Sequence, residues 1–188
     1  MATPQSVRYL NEIRALNALF RSGGMSRADL ARMLGLNRST TGHIIANLMA
    51  DALVVELPNG CRGETAAKTG RPGINIEINP AGATFLGAEI GVDRLTVVAI
   101  DLCANEIRRI STPFPTHQQP LEAGIDRVAA MIGEVIDGLA DKTLIRGLCV
   151  TLPALLDAEG KVINALIIGW RDVDLKAMIT ERLAARFP

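Results

Sequence analysis

Apolar residues recur at intervals of three and four along the first fifty residues, the spacing of helices that bury one face. The first run covers residues 6–21 and is stopped by a Ser-Gly-Gly stretch at residues 22–24. A second, short helix is predicted after Ser26, which stands three residues before Asp29 in a short capping-box pattern, and it should end at Gly35. The apolar stripe of this second helix consists of Leu30, Met33 and Leu34.

A third helix is predicted to begin after Asn37, which is a good N-cap residue, and to continue to Met49. Its apolar positions are Ile44, Ile45, Leu48 and Met49. The second and third helices meet across a short turn that contains glycine, which is the helix-turn-helix arrangement. In that arrangement the later helix can enter the major groove of DNA.

The hydrophobic pattern changes after residue 52. Residues 53–57 have strand propensity, residues 58–60 have turn chemistry, and residues 74–78 alternate apolar and polar as a returning strand. Helices followed by a β-hairpin predict a winged helix, with a tip at residues 61–73 that is polar and rich in glycine and basic residues.

The rest of the chain has an α/β order of elements. The junction is predicted at residues 79–82, which divides the chain into a winged helix at 1–79 and a second domain at 80–188. In the second domain the pattern predicts strands at 84–91, 95–101 and 106–113, a helix at 120–139, a buried strand at 145–152, a short strand at 161–165 and a helix at 175–187.

Composition indicates a globular protein. The chain has 188 residues, 48% of them hydrophobic, and no apolar run approaches the length that a membrane span requires. The N-terminal residues lack a secretory signal, so we expect a cytoplasmic protein without a membrane partner. The cysteines Cys61, Cys103 and Cys149 fit neither a metal-ligand spacing nor a disulfide framework, and we expect reduced structural thiols.

Charge is distributed unevenly although the formal net charge is zero. Residues 1–75 contain nine Arg and Lys against five Asp and Glu, whereas residues 76–188 contain eleven against fifteen. A basic half beside an acidic half is a signal that the basic half meets a polyanion. The predicted winged helix is the basic half.

Four motifs in order along the chain resemble the ROK family of repressors, open reading frames and kinases. They are the run Gly35 to Thr40 (GLNRST), Gly70-Arg71-Pro72, the run Gly87 to Gly91 (GAEIG), and the run Gly169 to Val173 (GWRDV). The resemblance is to the transcriptional-regulator branch of this family and covers nearly the whole chain.

The resemblance implies a winged helix followed by a lobe of the actin-like, ribonuclease H-like ATPase fold. It implies a DNA-binding repressor of carbohydrate-metabolism genes that acts as a homodimer on an A·T-rich palindromic operator and responds to a sugar or sugar phosphate. Two alternatives remain open: a ROK-type sugar kinase with an extra N-terminal domain, and a winged-helix protein whose second domain serves only for dimerisation.

Short polar side chains at the start of the third helix are the candidates for DNA contact, because they can reach base edges or phosphates while the apolar face anchors the helix. They are Arg38, Ser39, Thr40, His43 and Asn47. The alternative is a protein-interaction module in which these residues form a solvated face. Gly42 is locally unfavourable within a helix, so either close approach to DNA or packing against the second helix should explain it.

The hairpin tip carries a second group of candidates. Gly70-Arg71-Pro72 resembles the core of minor-groove hooks, in which an extended backbone inserts an arginine into a narrow A·T-rich groove. Lys68 and Arg62 stand nearby in the sequence. We therefore assign Lys68, Gly70, Arg71 and Pro72 to DNA binding, with a simple linker turn as the alternative.

The segment that corresponds to the phosphate loop of ROK kinases departs from it. Glu89, Val92 and Asp93 stand where that loop has an aspartate, a glycine and a threonine. A carboxylate that faces the phosphates in place of the threonine hydroxyl would repel them. We therefore predict no enzyme activity and no nucleotide cofactor. The family's sugar-binding Asn-Asp pair, catalytic aspartate and zinc-binding Cys/His cluster lie downstream of residue 188, so the second domain is expected to be incomplete.

Other residues of the second domain have a structural interpretation as well as a functional one. Residues 152–157 could shape the rim of a sugar cleft or form a structural turn, and Trp170 could line the cleft or belong to the core. His117, Asp172 and Asp174 are expected to be solvated surface groups.

Overall fold

The computed structural model describes residues 4–58 and 74–184. It divides the chain into two compact units, Met1–Ala83 and Thr84–Pro188. The first unit combines helices with a small antiparallel sheet, and the second is an α/β unit. The predicted fold class, a winged helix followed by an actin-like α/β lobe, is confirmed.

The first unit is a winged helix. Its elements are α1 (Pro4–Ser22), β1 (Met25–Ser26), α2 (Arg27–Leu34), α3 (Arg38–Ala50), β2 (Val54–Pro58) and β3 (Ile74–Ile78). β3 lies between β1 and β2 and is antiparallel to both. β1 was not predicted, because a strand of two residues is too short to show an alternating pattern.

Three local signals fix the two ends of α2 and the start of α3. Ser26 caps α2, with its hydroxyl accepting from the Asp29 backbone N–H at 3.2 Å. Gly35 ends α2 in the left-handed conformation at φ +67°, which favours glycine. Asn37 caps α3 by accepting from the Thr40 N–H at 2.8 Å. Both predicted caps and the predicted end of α2 are confirmed.

The core of the first unit differs from the predicted stripe at two methionines. Its buried side chains include Ala15, Leu19, Leu30, Ala31, Leu34, Ile44, Ile45, Leu48, Val54 and Ile76. Met33 is exposed because α2 uses Leu30, Ala31 and Leu34 for its inner face. Met49 is also exposed at the end of α3, so its predicted place in the core was wrong.

The second unit is built on a mixed sheet in the order β6-β5-β4-β7. β4 (Thr84–Ile90), β5 (Arg94–Asp101) and β6 (Glu106–Pro113) form the predicted antiparallel meander. α4 (Leu121–Asp137) then leads to β7 (Ile145–Thr151), which is parallel to β4. The alternate inward residues of β4 and β5 pack with the apolar face of α4 in one core.

The predicted buried strand at 145–152 is a half-exposed edge strand, so the burial prediction was wrong. Within residues 84–184 as described, β7 pairs with β4 on one side only, and Gly147, Cys149 and Thr151 are exposed. An apolar run indicates a buried strand only where neighbours cover both of its faces.

The last part of the second unit is a separate small sheet followed by a helix. β8 (Leu155–Leu156), β9 (Val162–Ala165) and β10 (Trp170–Val173) lie in the order β10-β9-β8, and α5 (Leu175–Ala184) follows. Of these three strands only β9 was predicted. β8 has two residues, too few to show an alternating pattern, and β10 was missed although it has the same length as β9. Among the described residues, none of the helices combines the length and apolar character needed to cross a bilayer.

Candidate nucleic-acid interface

The helix α3 has an apolar inner face and a polar, small-residue outer face. Thr41, Ile44, Ile45 and Leu48 are buried. On the opposite side, Ser39, His43, Ala46 and Ala50 follow one another at helical spacing and are all exposed. We call this group, together with the neighbouring Gly42, the outer ridge of α3.

Gly42 leaves the outer ridge without a side chain at its position. A Cβ built at Gly42 would meet no atom within 4 Å, so neither α2 nor any other described element requires glycine there. The packing explanation for Gly42 was therefore wrong. Glycine costs about 1 kcal/mol relative to alanine inside a helix, and no contact among the described residues offsets that cost.

The N-terminal end of α3 concentrates positive electrostatic potential. The Asn37 side chain occupies the Thr40 N–H, and the Thr41 hydroxyl donates to the Asn37 carbonyl at 3.0 Å. Arg38 and Ser39 lie in the first turn and are exposed, whereas Thr40 is half-buried. A helix N-terminus carries roughly half a positive charge, so Arg38 adds to a field that already favours anions.

Asn47 belongs to a hydrogen-bond network within the protein. Its side-chain Nδ2 donates to Glu12 Oε1 on α1 at 3.1 Å, and the same oxygen accepts from Arg8 Nε at 3.0 Å. This network links α3 to α1. Sequence reasoning missed Glu12, because the contact joins residues 35 positions apart and no local pattern reveals it.

Several basic residues near α3 have their charges balanced within the unit. Arg27 on α2 pairs with Glu56 on β2, with Nε donating to Oε1 at 2.8 Å. Arg32 pairs with Asp29 on its own helix. The charge that α3 itself presents is that of Arg38, at the end of the outer ridge where the first turn begins.

The hairpin residues of the second group lie outside the described residues. Lys68, Gly70, Arg71 and Pro72 all fall in the segment 59–73. The strands that carry this segment are paired to their ends, since Pro58 lies opposite Ile74. Pro58 and Ile74, the described residues on either side of this segment, are therefore paired with each other in the sheet.

In the second unit, Gly91 lies at the turn between β4 and β5, and its backbone N–H is not free to bind a phosphate. The Gly91 N–H donates to the Arg94 carbonyl at 3.0 Å. Thr116, which is buried, donates from its hydroxyl to the Gly91 carbonyl at 2.7 Å and from its backbone N–H to the Val92 carbonyl at 2.8 Å. Glu89 and Asp93 are exposed carboxylates at this turn.

The remaining candidates of the second unit have structural roles in the described residues. Trp170 is buried against Gly124 of α4, and Asp157 closes its own turn by accepting from the Lys161 N–H at 2.7 Å. Asp174 begins α5, accepting from the Ala177 N–H at 2.9 Å. His117 and Asp172 are exposed, as predicted.

Comparison with known proteins shows that the chain is similar to xylose repressors. Residues 10–54 match the family of winged helix-turn-helix DNA-binding domains. The xylose repressor of Bacillus subtilis is 26% identical over 181 residues, which is 94% of this chain and 44% of the repressor. The xylose repressor of Bacillus spizizenii is 27% identical over 177 residues, with the same coverage.

A solved structure shares the fold. It is a ROK family transcriptional regulator, a homologue of the E. coli MLC protein, with a TM-score of 0.69 and 22% identity over 95% of this chain and 44% of that one. The chain therefore spans less than half the length of the relatives that it matches.

Proposed function

We propose, from the premise that this chain is a relative of the ROK-family transcriptional regulators, that it is a sequence-specific DNA-binding repressor of carbohydrate-metabolism genes. The resemblance seen in four sequence motifs is confirmed by the two xylose repressors and by the shared fold. The names of those repressors support a sugar or sugar phosphate as the effector. Action on genomic DNA would place the protein in the cytoplasm.

The outer ridge of α3 is the observation that carries this proposal. A helix that reads the major groove must bring its backbone close to base edges, and small residues along one face permit that approach. Gly42, Ala46 and Ala50 supply the small residues, and Ser39 and His43 supply hydrogen-bonding groups between them. A face used for binding another protein would be expected to carry large apolar anchors instead.

The position of each candidate residue on α3 indicates its role in binding DNA. Ser39 and His43 read base edges, while Arg38 at the helix N-terminus contacts a phosphate. Thr40 is half-buried beside the cap and contacts the DNA backbone at the flank. Asn47 positions α3 through Glu12 and retains its side-chain oxygen for the DNA.

The kinase alternative is disfavoured by the turn between β4 and β5. A phosphate loop uses unoccupied backbone N–H groups and avoids nearby carboxylates. Here the Gly91 N–H is engaged by the Arg94 carbonyl, and Asp93 presents an exposed carboxylate where the phosphate loop has a threonine. The similarity to repressors supports the same choice.

Selection of binding sites from a random duplex library by the 188-residue chain tests the proposal. We expect enrichment of an A·T-rich palindrome, because a homodimer presents two copies of α3 to half-sites about one helical turn apart. The affinity for the selected duplex should fall steeply with salt, as phosphate contacts release counterions. Absence of any enriched sequence, with a folded protein, would overturn the proposal.

His43→Ala is expected to change sequence preference rather than only affinity. Loss of a base contact costs about 1–3 kcal/mol at one position of the site and relaxes the preference there. Arg38→Ala is the control, because loss of a phosphate contact should weaken all sequences alike and reduce the salt slope by about one. Repeating the selection with both variants checks this, and an unchanged consensus with His43→Ala would contradict the assignment.

Arg71→Ala is expected to weaken binding most on duplexes with A·T-rich flanks, by about tenfold, because a narrow minor groove concentrates negative potential for an inserted arginine. Titration of the selected duplex against one with G·C flanks measures the difference. Lys68→Ala serves for comparison, since a lysine on a phosphate should lower both affinities equally. An equal loss for Arg71→Ala on both duplexes would make Arg71 a phosphate contact.

A further inference from the structure

The helix α1 carries a second apolar face in addition to the one that it buries. Ala15 and Leu19 point into the core of the first unit, with no exposed surface. On another side, Tyr9, Ile13, Leu16 and Phe20 follow at steps of four, three and four residues, the spacing of a helix-packing seam. We call these four residues the α1 seam.

The α1 seam is open to solvent. Tyr9 is 66% exposed, Ile13 36% and Phe20 54%, and Leu16 is half-buried at the border with the core. Leu10, beside the seam, is 56% exposed. Scattered apolar residues are ordinary on a protein surface, but a contiguous row with two aromatic rings marks an interaction surface.

The order of residue types in the seam is symmetrical. An aromatic residue stands at each end and an aliphatic residue stands at each inner position, so the seam reads alike from both ends. In an antiparallel pair of α1 helices related by a two-fold axis, Tyr9 would lie opposite Phe20 of the second copy. Ile13 would then lie opposite Leu16 of the second copy. A self-complementary patch of this kind is what a two-fold interface requires.

The area of the seam suits a weak dimer. The exposed parts of the seam and of Leu10 amount to on the order of 400–500 Å² of apolar surface per copy, or about 1,000 Å² in a pair. That value is at the low end for specific interfaces. Such a dimer would form at micromolar protein concentration. It would be more fully populated on DNA, because two copies bound side by side have a high effective concentration for each other.

We infer that the α1 seam is the surface through which two copies of this chain associate, with their α1 helices antiparallel. This inference rests on the proposed function, because binding to a palindromic operator is what requires two copies of the chain. It assigns dimer contact to the unit that reads DNA. The network of Arg8, Glu12 and Asn47 then connects the dimer helix directly to α3.

A charge exchange tests the antiparallel pairing. Sedimentation equilibrium of the 188-residue chain without DNA should give a micromolar dimer, with the dissociation constant raised at least tenfold by Tyr9→Lys and by Phe20→Glu singly. The double variant should bind at least fivefold more tightly than either single variant, because Lys at position 9 then faces Glu at position 20 of the second copy. Met33→Lys, an equally exposed position outside the seam, is the control and should leave the dimer intact.

Four results would overturn the inference. The first is a wild-type chain that stays monomeric at several hundred micromolar, and the second is a dimer that Tyr9→Lys disturbs no more than Met33→Lys does. The third is a double variant weaker than both singles, which indicates parallel helices. The fourth is a loss of thermal stability in Tyr9→Lys at a concentration where the wild type is monomeric, which indicates that the seam packs within its own chain. Failure of the proposed function is distinguishable, because it would leave no enriched duplex while the dimer measured without DNA persists. Failure of the inference alone would leave an enriched duplex whose single half-site binds Tyr9→Lys and wild type equally well.

Discussion

Replacing Gly42 by alanine is expected to stabilise the free protein by about 0.5–1 kcal/mol and at the same time to weaken binding to the selected duplex tenfold or more. The gain follows from helix propensity, since alanine is favoured over glycine within a helix and the added methyl group meets no atom within 4 Å. The loss follows because the methyl group stands on the outer ridge of α3. A methyl group forced into a closely packed contact costs about 1–3 kcal/mol.

Thermal unfolding and duplex titration of the same preparation measure the two effects separately. Gly42→Ser is the control, because serine is larger than alanine but is a poorer helix former. It should bind at least as weakly as Gly42→Ala while giving a smaller gain in stability. If Gly42→Ala keeps the affinity of the wild type, the outer ridge does not approach DNA closely and the proposed reading face is wrong.

Replacing Gly124 by alanine is expected to destabilise the second unit by about 1–3 kcal/mol. A Cβ at Gly124 would lie 2.8 Å from Trp170 Cζ2, which is closer than carbon atoms can approach without a shift, and a tight 3.3 Å from Cη2. Trp170 is 4% exposed, so the ring has little room to move. Chemical unfolding followed by circular dichroism measures the loss.

Trp170→Phe provides the internal check, because it removes the ring atoms that the new methyl group would meet. The double variant should be more stable than the sum of the two single losses predicts, by at least about 0.5 kcal/mol, as expected of residues in direct contact. Affinity for a single half-site should not change, since Gly124 and Trp170 belong to the second unit. Additive losses would show that the two positions do not touch.

The sequence was most informative where a residue type acts through its own backbone. Ser26 predicted the start of α2, and Gly35 and Asn37 predicted the turn of the helix-turn-helix, because capping depends on side chains and dihedral angles within three or four residues. The meander β4-β5-β6 was predicted for a similar reason, since its strands are long enough to alternate and are joined by short turns.

Contacts between distant residues could not be predicted from local pattern. The hydrogen bond from Asn47 to Glu12 assigns Asn47 a structural partner that no spacing reveals. The open space beside Gly42 likewise depends on where the other elements of the unit lie, which the local sequence does not reveal. β7 was expected to be buried, but an apolar run carries no information about the number of neighbouring strands, and β7 pairs only with β4 among the described residues.

Each of the two units contains a different optical reporter, a tryptophan in the second unit and a tyrosine in the first. The sequence contains one tryptophan and one tyrosine. Trp170 is enclosed in the core of the second unit, so its emission should lie at short wavelength and move to the red when that unit unfolds. Tyr9 stands on the open side of α1, so its absorbance responds to what covers that helix. Unfolding of the second unit and association of the first can therefore be followed in one unlabelled sample, each at its own wavelength.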